Sequence, residues 1–370
     1  MKILLLGEYS SLHWTLAQGL KLLGHNVTVA SDGDGFKNYQ RNIDLARKSS
    51  SVKDTFHTLY SVIRNLKNFK GYDIVQIINP CFTQLNINVN QYLYRFLKKN
   101  NAKVFLGAFG DDSFWLKACL SDEVFKYSEF FIDGKENNIS DNERLKGLWL
   151  NSKREELNKE IADSCDGIIA CLYEYYAAYK IIPKYVEKLK YIPLPIDING
   201  IAYQKNIVSE KVKFFIGINK ARNEFKGTDI MQKALHDVCS KYKDEMEMIV
   251  AESVPYKDYM KMMMDSHVVL DQLYSYSPAM NGLLSLTMGK VLVGGGEPEM
   301  YELLNEYINT PIVNVYPSEE DVYKKLEELI LNKSNISAIS ENGRKFVEEY
   351  HDYKKVAQQY LDFWTNKMES

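Results

Sequence analysis

The sequence predicts an α/β protein of two doubly wound domains. Three observations predict it. Short apolar runs alternate with helix-period stretches along the chain, and the alternation starts afresh after a proline-bearing linker near the middle. At 370 residues the chain is too long for one ordinary core and fits two domains, each of roughly 100–200 residues. A composition of 45% hydrophobic and 26% charged residues, with a mean hydropathy of -0.32, is globular and excludes a disordered, collagen-like or membrane-spanning chain.

The first strand is the apolar run Ile3–Leu6, ended by Gly7. A helical pattern follows (Leu12, Leu16, Leu20, Leu23), then Gly24-His25-Asn26 and the β-branched run Val27–Ala30. This is a β-α-β unit. Asp73–Ile78, Lys103–Leu106, Gly167–Cys171 and Leu189–Ile192 repeat the strand signal, with helix-period stretches such as Val52–Phe69 and Gln91–Lys99 between them. A parallel sheet is the expected outcome of such alternation. The run Pro193-Leu194-Pro195-Ile196-Asp197-Ile198-Asn199-Gly200 has two prolines and no periodicity, and the domain boundary is placed there.

The second series opens with a strand at Val212–Ile216 and a helix from about Thr228 to Tyr242, then strands at Glu247–Ala251, Val268–Asp271, Val291–Val293 and Ile312–Val315. Helices are expected near Tyr256–Met264, Ala279–Met288 and Glu319–Leu331. The region from Ser337 to Trp364 is long and polar for one more sheet-covering helix, with a break near Tyr350-His351-Asp352, and is expected to cross back to the first domain. The expected domains are therefore 1–195, 196–350 and a returning helix at 351–370. Two such sheets are expected to face a shared cleft with the carboxyl ends of their strands.

Forty-six Lys+Arg against 49 Asp+Glu leave a net charge of -3, so no overall positive field recruits nucleic acid. Anionic ligands must be held locally. The five cysteines are odd in number and lack C-x-x-C spacing, which argues against a disulfide framework or a structural zinc site and for a reducing compartment. The apolar start at Met1–Gly7 is too short for a signal peptide's core, and no stretch reaches a membrane span of ~18–20 apolar residues. A cytoplasmic protein is expected.

Function is sought in the turns after strands. The turn from Gly7 to Trp14 sits where a dinucleotide-binding loop would, but has one glycine where G-x-G-x-x-G needs three, which disfavours a nicotinamide site. Asp32-Gly33-Asp34 reads either as a ribose or metal ligand or, with Gly35 beside it, as a solvated turn. Tyr9 and His13 are acceptor-side candidates, His13 as acid, base or sugar contact against a plain packing role. Asn79-Pro80 and Gly107-Ala108-Phe109-Gly110-Asp111-Asp112 close two further strands. Asn79, Asp111 and Asp112 join the acceptor side, with one of the adjacent aspartates as a base or sugar-hydroxyl partner; the competing reading is that one of them simply caps the helix starting near Ser113.

The sharper constellation lies in the second half. The loop Gly217 to Asp229 follows a strand and opens a helix, with Lys220, Arg222, Lys226 and Gly227 in it. Cations that neutralise charge beside free helix-terminal N–H groups make a diphosphate clamp; the competing reading is a solvated basic loop with an ordinary cap. Ser275 to Gly282 precedes the next helix with small residues, so that a ligand can approach the backbone at Ala279, Met280, Asn281 and Gly282. Gly294-Gly295-Gly296-Glu297-Pro298-Glu299 repeats that logic one strand later.

These segments in this order (Arg222 to Lys226-Gly227, Gly282-Leu283-Leu284 to Met288-Gly289-Lys290, and Gly295-Gly296-Glu297-Pro298-Glu299) resemble the carboxyl-terminal domain of GT-B-fold glycosyltransferases. The likeness is to the large group 1 (family 4) of retaining, nucleotide-sugar-dependent enzymes, and Tyr191 to Asp197 is similar to that family's interdomain segment. The resemblance implies two Rossmann-like domains facing a central cleft, a nucleoside-diphosphate-sugar donor held by the second domain, and a glycan or lipid-linked acceptor on the first. It implies bacterial polysaccharide or glycolipid synthesis, with peripheral contact at the inner membrane face. Val254 and Tyr256 would border the base pocket. The chain departs from the family where a pair of glutamates contacts sugar and ribose: Ser277 and Ser285 stand there, with Glu297 as a substitute and Lys220 sharing the arginine's role. No cofactor or metal is expected, because Arg222, Lys226 and backbone amides can stabilise the departing diphosphate. An epimerase or hydrolase on the same fold, and a nucleotide-sugar-binding protein without chemistry, are the alternative functions.

Overall fold

The computed structural model describes residues 1–137 and 139–369, with all side chains among them except those at 36 and 140. The chain opens with β1 (Lys2–Leu6), α1 (Leu12–Leu22), β2 (Asn26–Ser31), β3 (Ile43–Asp44), α2 (Val52–Asn65), β4 (Ile74–Ile77), α3 (Ile87–Asn100) and β5 (Lys103–Ala108). Then come α4 (Ser113–Cys119), β6 (Phe131–Ile132), β7 (Lys135–Glu136), α5 (Ser140–Trp149), α6 (Lys153–Ser164), β8 (Gly167–Ala170), α7 (Tyr173–Lys180) and β9 (Leu189–Tyr191). The next stretch holds β10 (Val212–Ile218), α8 (Asn223–Lys226), α9 (Thr228–Lys241), β11 (Met246–Glu252), α10 (Tyr256–Met264), β12 (Val268–Leu270) and α11 (Met280–Thr287). β13 (Val291–Gly294), α12 (Pro298–Leu303), β14 (Val313–Asn314), α13 (Glu319–Leu331), α14 (Ile336–Tyr350) and α15 (Tyr353–Glu369) complete it. Short polar residues cap several helices: Ser51, Asn86, Ser152 and Ser318 each accept from the amide three residues on.

One compact unit comprises Met1–Lys117, Leu145–Pro195 and the chain from Asp352 onward. Its seven strands are all parallel, in the order β3-β2-β1-β4-β5-β8-β9. Runs such as Ile3–Leu6 and Ile74–Ile77 are buried on both faces, which is why they read as continuous apolar stretches. The last helix, α15, packs on α1, with Tyr360 and Trp364 buried.

The other unit comprises Ala118–Arg144 and Ile196–His351. Its five strands are also parallel, in the order β11-β10-β12-β13-β14, and its core gathers Phe214, Ile216, Met231, Leu235, Leu270 and Val293. Residues 118–144 depart from the expected division, which assigned all of 1–195 to the first domain. They carry the antiparallel hairpin β6-β7 and belong with the second unit, because Ile132 packs against that unit's core and Tyr127 hydrogen-bonds Glu297. No local periodicity signals this.

Each sheet reverses its strand order once. In the first the reversal lies between β1 and β4, in the second between β10 and β12. Ligands of open parallel sheets bind outside the carboxyl ends of strands at such a switch point. The loops after these four strands therefore hold the candidate site.

Candidate functional site

At the second sheet's switch point, β10 is followed by Asn219, whose side chain accepts from the Ala221 amide and turns the chain into the basic loop. Lys220 and Arg222 are exposed. Lys220 pairs at 2.5 Å with Glu252 at the end of β11, and the Arg222 guanidinium lies 4.7 Å from the centre of the Phe225 ring. Lys226 ends the short helix α8. Gly227 then takes a left-handed conformation (φ 66°) that joins α8 to α9, and a Cβ there would stand 2.7 Å from Leu273. A recess of about 210 Å³ is lined by Lys220–Phe225 together with Ile139 and Asp141.

On the neighbouring strand, β12 leads through Asp271 to α11. This helix has no side-chain cap and no acid in its first turn, so the amides of Met280, Asn281 and Gly282 present their partial positive charge outward from Ala279. Their position is held by a polar chain. The Tyr259 hydroxyl donates to Asn281 Oδ1 (2.9 Å), and Asn281 Nδ2 donates to Asp271 Oδ1 (3.0 Å). Gly282 is needed for closeness: a Cβ would lie 2.9 Å from Leu292 and 3.2 Å from Asp271 Oδ2. Asp271 and Tyr259 escaped sequence reasoning, although a carboxylate at the carboxyl end of a predicted strand was a usable signal.

Two of the expected donor contacts, Ser285 and Glu297, have protein partners. The Ser285 hydroxyl donates to the Gly282 carbonyl at 2.7 Å inside its own helix and is fully buried. Ser277 is likewise buried. Glu297 is held by protein: Tyr127 and Asn314 each donate to Oε1 at 2.8 Å, and Lys126 approaches Oε2 at 3.2 Å and Glu299 at 2.6 Å. The Tyr276 hydroxyl accepts from the Lys126 and Tyr127 amides at 2.5 and 3.3 Å, and Tyr316 hydrogen-bonds Asp133. Glu297 thus fastens residues 118–144 across the carboxyl ends of β12, β13 and β14. Lys126, Tyr127 and Asn314 carried no sequence signal. Beyond β11, Val254 packs into the core beside Phe215, whereas Tyr256 is 68% exposed.

In the first sheet, the topology gathers Tyr9, His13, Asn79, Asp111 and Asp112 at the ends of β1, β4 and β5. Most of their polar atoms serve the loops themselves. Asn79 donates to the Asp111 carbonyl (3.2 Å) and accepts from the Cys81 amide (3.0 Å). The Tyr9 ring packs where a Gly110 Cβ would be, 2.9 Å away. Asp112 is buried and caps α4, accepting from the Phe114 and Trp115 amides at 2.9 Å and from the Tyr179 hydroxyl at 2.7 Å. Burial pushes its carboxyl up to about 6. Of the adjacent pair, Asp112 is therefore the cap, and Asp111 is the partly exposed one.

His13 is buried, and its Nδ1 lies 2.8 Å from the Gly7 carbonyl. A carbonyl only accepts, so Nδ1 carries the proton and Nε2 keeps its lone pair. Burial lowers the ring to about 4, so His13 is neutral at neutral pH and is no reservoir of an acidic proton. Glu8 was missed: its two oxygens accept from the His13 and Trp14 amides at 3.1 and 2.9 Å, and burial raises it to about 8. Asp32 accepts from Gln84, and Asp34 from the Ser10 amide and Lys37, which makes Asp32-Gly33-Asp34 a closed turn.

Residues 220–362 match a family described as glycosyl transferase-like. In fold, 99% of the chain is similar to 99% of sucrose-phosphate synthase from Thermosynechococcus elongatus, with a TM-score of 0.62 at 10% identity. Anabaena HepE, solved in complex with UDP-glucose, is covered over its whole length by 99% of the chain, with a TM-score of 0.61 at 13% identity. WaaG, a glycosyltransferase involved in lipopolysaccharide biosynthesis, gives 0.60 at 13% identity over 99% of this chain and 100% of that one. No curated protein matches the chain in sequence. The chain has the fold of two Rossmann-like domains found in GT-B glycosyltransferases, and its region 220–362 is glycosyl transferase-like.

Proposed function

We propose that the protein transfers a sugar from a nucleoside diphosphate to a glycan or lipid-linked acceptor, and that the donor diphosphate sits at the β10/β12 switch point. One observation carries this reading: exposed Arg222 and the uncapped α11 amides stand on loops from adjacent parallel strands, both at the carboxyl edge. Breaking the glycosidic bond builds negative charge on the departing diphosphate. Arg222 and Lys226 supply positive charge and Met280 to Gly282 supply N–H donors, which strengthens these contacts as the bond breaks. Such a clamp needs no metal and no cofactor beyond the co-substrate. Retention of configuration, bacterial polysaccharide or glycolipid synthesis, a cytoplasmic location and peripheral attachment at the inner membrane face belong to the same proposal, carried by the family resemblance. On the acceptor side the proposal keeps Tyr9, Asp111 and the neutral His13 as hydroxyl partners.

HepE has been solved with UDP-glucose and with UDP and glucose, so UDP is the first probe. A bound nucleotide at about 100 times its Kd should stabilise the fold by about 2.7 kcal/mol, read as a raised melting temperature. A nucleotide-sugar panel with and without lipid-linked acceptors then separates the outcomes. Transfer that persists in EDTA supports the proposal. Transfer abolished by EDTA and restored by magnesium overturns the cationic clamp. Conversion of donor without acceptor indicates an epimerase or hydrolase, and binding without turnover indicates a protein that has lost the chemistry.

A further inference from the structure

At the carboxyl end of β12 the chain buries a carboxylate that the fold satisfies only in part. Asp271 is 8% exposed and follows directly on β12, between β10 and β13 in the sheet. Its amide donates to the Val293 carbonyl at 3.1 Å, which fixes the backbone there. One carboxylate oxygen, Oδ1, accepts from Asn281 Nδ2 at 3.0 Å. The other, Oδ2, finds no donor on the protein among the described residues, and the side chain makes no ion pair among them. Solvent still reaches Oδ2. A carboxylate oxygen taken largely out of water without a donor costs free energy, and a bound hydroxyl or amide recovers it.

Glycines keep this oxygen uncovered. A Cβ at Gly282 would stand 3.2 Å from Oδ2, and one at Gly294 would stand 3.9 Å from the Asp271 Cβ. On β10, a Cβ at Gly217 would lie 2.6 Å from the Tyr259 hydroxyl, the group that holds Asn281 and through it Asp271. Three strand or helix ends thus meet with little side chain between them, and a ligand can come close to the backbone. The charge of Asp271 selects what that ligand presents. A carboxylate repels phosphate oxygens and accepts from hydroxyls, and O–H···O⁻ bonds are short and strong. Ser285 gives its hydroxyl to the Gly282 carbonyl and Glu297 has protein donors, whereas Asp271 keeps one oxygen without a protein donor.

We propose that Asp271 Oδ2 accepts a hydrogen bond from a hydroxyl of the bound nucleotide sugar, on its ribose or on the transferred sugar, and so selects donors that carry this hydroxyl. The inference rests on the reading of this edge as the donor site. It adds the residue that recognises a neutral part of the donor beside the groups that hold its diphosphate.

The test is calorimetric titration of the full chain. The ligands are the tightest binder among UDP, GDP, ADP and dTDP, the nucleotide sugar that binds in the panel above, and analogues of each lacking one hydroxyl. Asp271→Asn keeps an oxygen for the Asn281 amide and puts an N–H donor where Oδ2 stood. With the hydroxyl on the ribose, the parent should bind one deoxynucleotide about 10- to 100-fold more weakly than the intact one. Asp271→Asn should bind the intact nucleotide more weakly by a similar factor and no longer distinguish the two. With the hydroxyl on the transferred sugar, the variant should show that loss on the nucleotide sugar alone and keep the parent's affinity for the bare nucleotide. Parental affinity of Asp271→Asn for both ligands would overturn the proposal and leave the donor site standing. So would weakened binding with the parent's hydroxyl preference intact, which would make Asp271 a positioning residue for Asn281. A parent that binds no nucleotide would overturn the donor reading and the inference with it. If Asp271→Asn fails to fold, the parent alone decides, because equal affinity for every analogue would overturn the proposal.

Discussion

The loop after β1 and the loop after β10 hold the same place in their sheets, each the first crossover at a switch point, and they treat their ionisable side chains in opposite ways. After β1, Glu8 is buried and capped onto the amides of His13 and Trp14, and His13 is tied to the Gly7 carbonyl. After β10, Lys220 pairs at the surface with Glu252 and Arg222 lies exposed over Phe225. A surface pair is worth about 0–1 kcal/mol and is readily exchanged for a ligand phosphate. Buried, mutually satisfied groups are costly to disturb. The ionisable groups of the first loop are therefore buried, held in their neutral forms and committed to the fold, whereas Lys220 and Arg222 of the second are charged at the surface.

The largest effect should come from the second loop. Arg222→Ala is expected to lower kcat/KM roughly 30- to 1000-fold, about 2–4 kcal/mol of transition-state stabilisation, with kcat reduced as well as donor affinity. The melting temperature should barely move, because the guanidinium is exposed. Arg222→Lys should recover only part of the loss, since an ammonium lacks the two-pronged grip. Steady-state kinetics at parental speed in a folded Arg222→Ala protein would erase the contrast between the loops.

On the first sheet the reverse pattern is expected. Asp112→Ala should remove about 2–4 kcal/mol of stability in urea unfolding, because it strips the α4 cap and leaves the Phe114 and Trp115 amides and the Tyr179 hydroxyl without their acceptor. Donor affinity should stay unchanged. Asp112→Asn keeps one capping oxygen and should cost less. Were Asp112→Asn to abolish transfer at full stability, the aspartate would be a chemical group after all.

The smallest effect sharpens the comparison through pH. Glu8, held at about 8 against an ordinary 4.5, makes the native chain bind more protons than the unfolded one, so its contribution to stability is lost as pH rises through that window. His13, held near 4 against 6.5, acts oppositely and withdraws stability as pH falls through its own window. Between pH 6.5 and 8 only Glu8 of the two acts, at up to about 1.4 kcal/mol per pH unit, or about 2 kcal/mol in all. Denaturation midpoints measured across this range should decline in the parent and stay level in Glu8→Gln. A parent curve as flat as the variant's would show that Glu8 is ionised in the folded protein.

Neighbouring residues were enough to specify a good deal of this protein. The strand runs, the glycine at Gly227 and the basic loop after β10 were legible because each depends on residues a few positions apart, through periodicity or local composition. Tertiary structure alone decided the rest. Residues 118–144 join the second unit through pairs such as Tyr127 with Glu297, 170 positions apart, and Asp112 finds Tyr179 67 positions away. Ser285 turned inward because the buried face of α11 took it, and Glu8 rather than Asp112 proved the most strongly raised carboxylate of the first sheet's edge. A side chain's partner across such distances leaves no local pattern, since it is chosen by which loops the packed sheets bring together and by which polar groups burial obliges to pair.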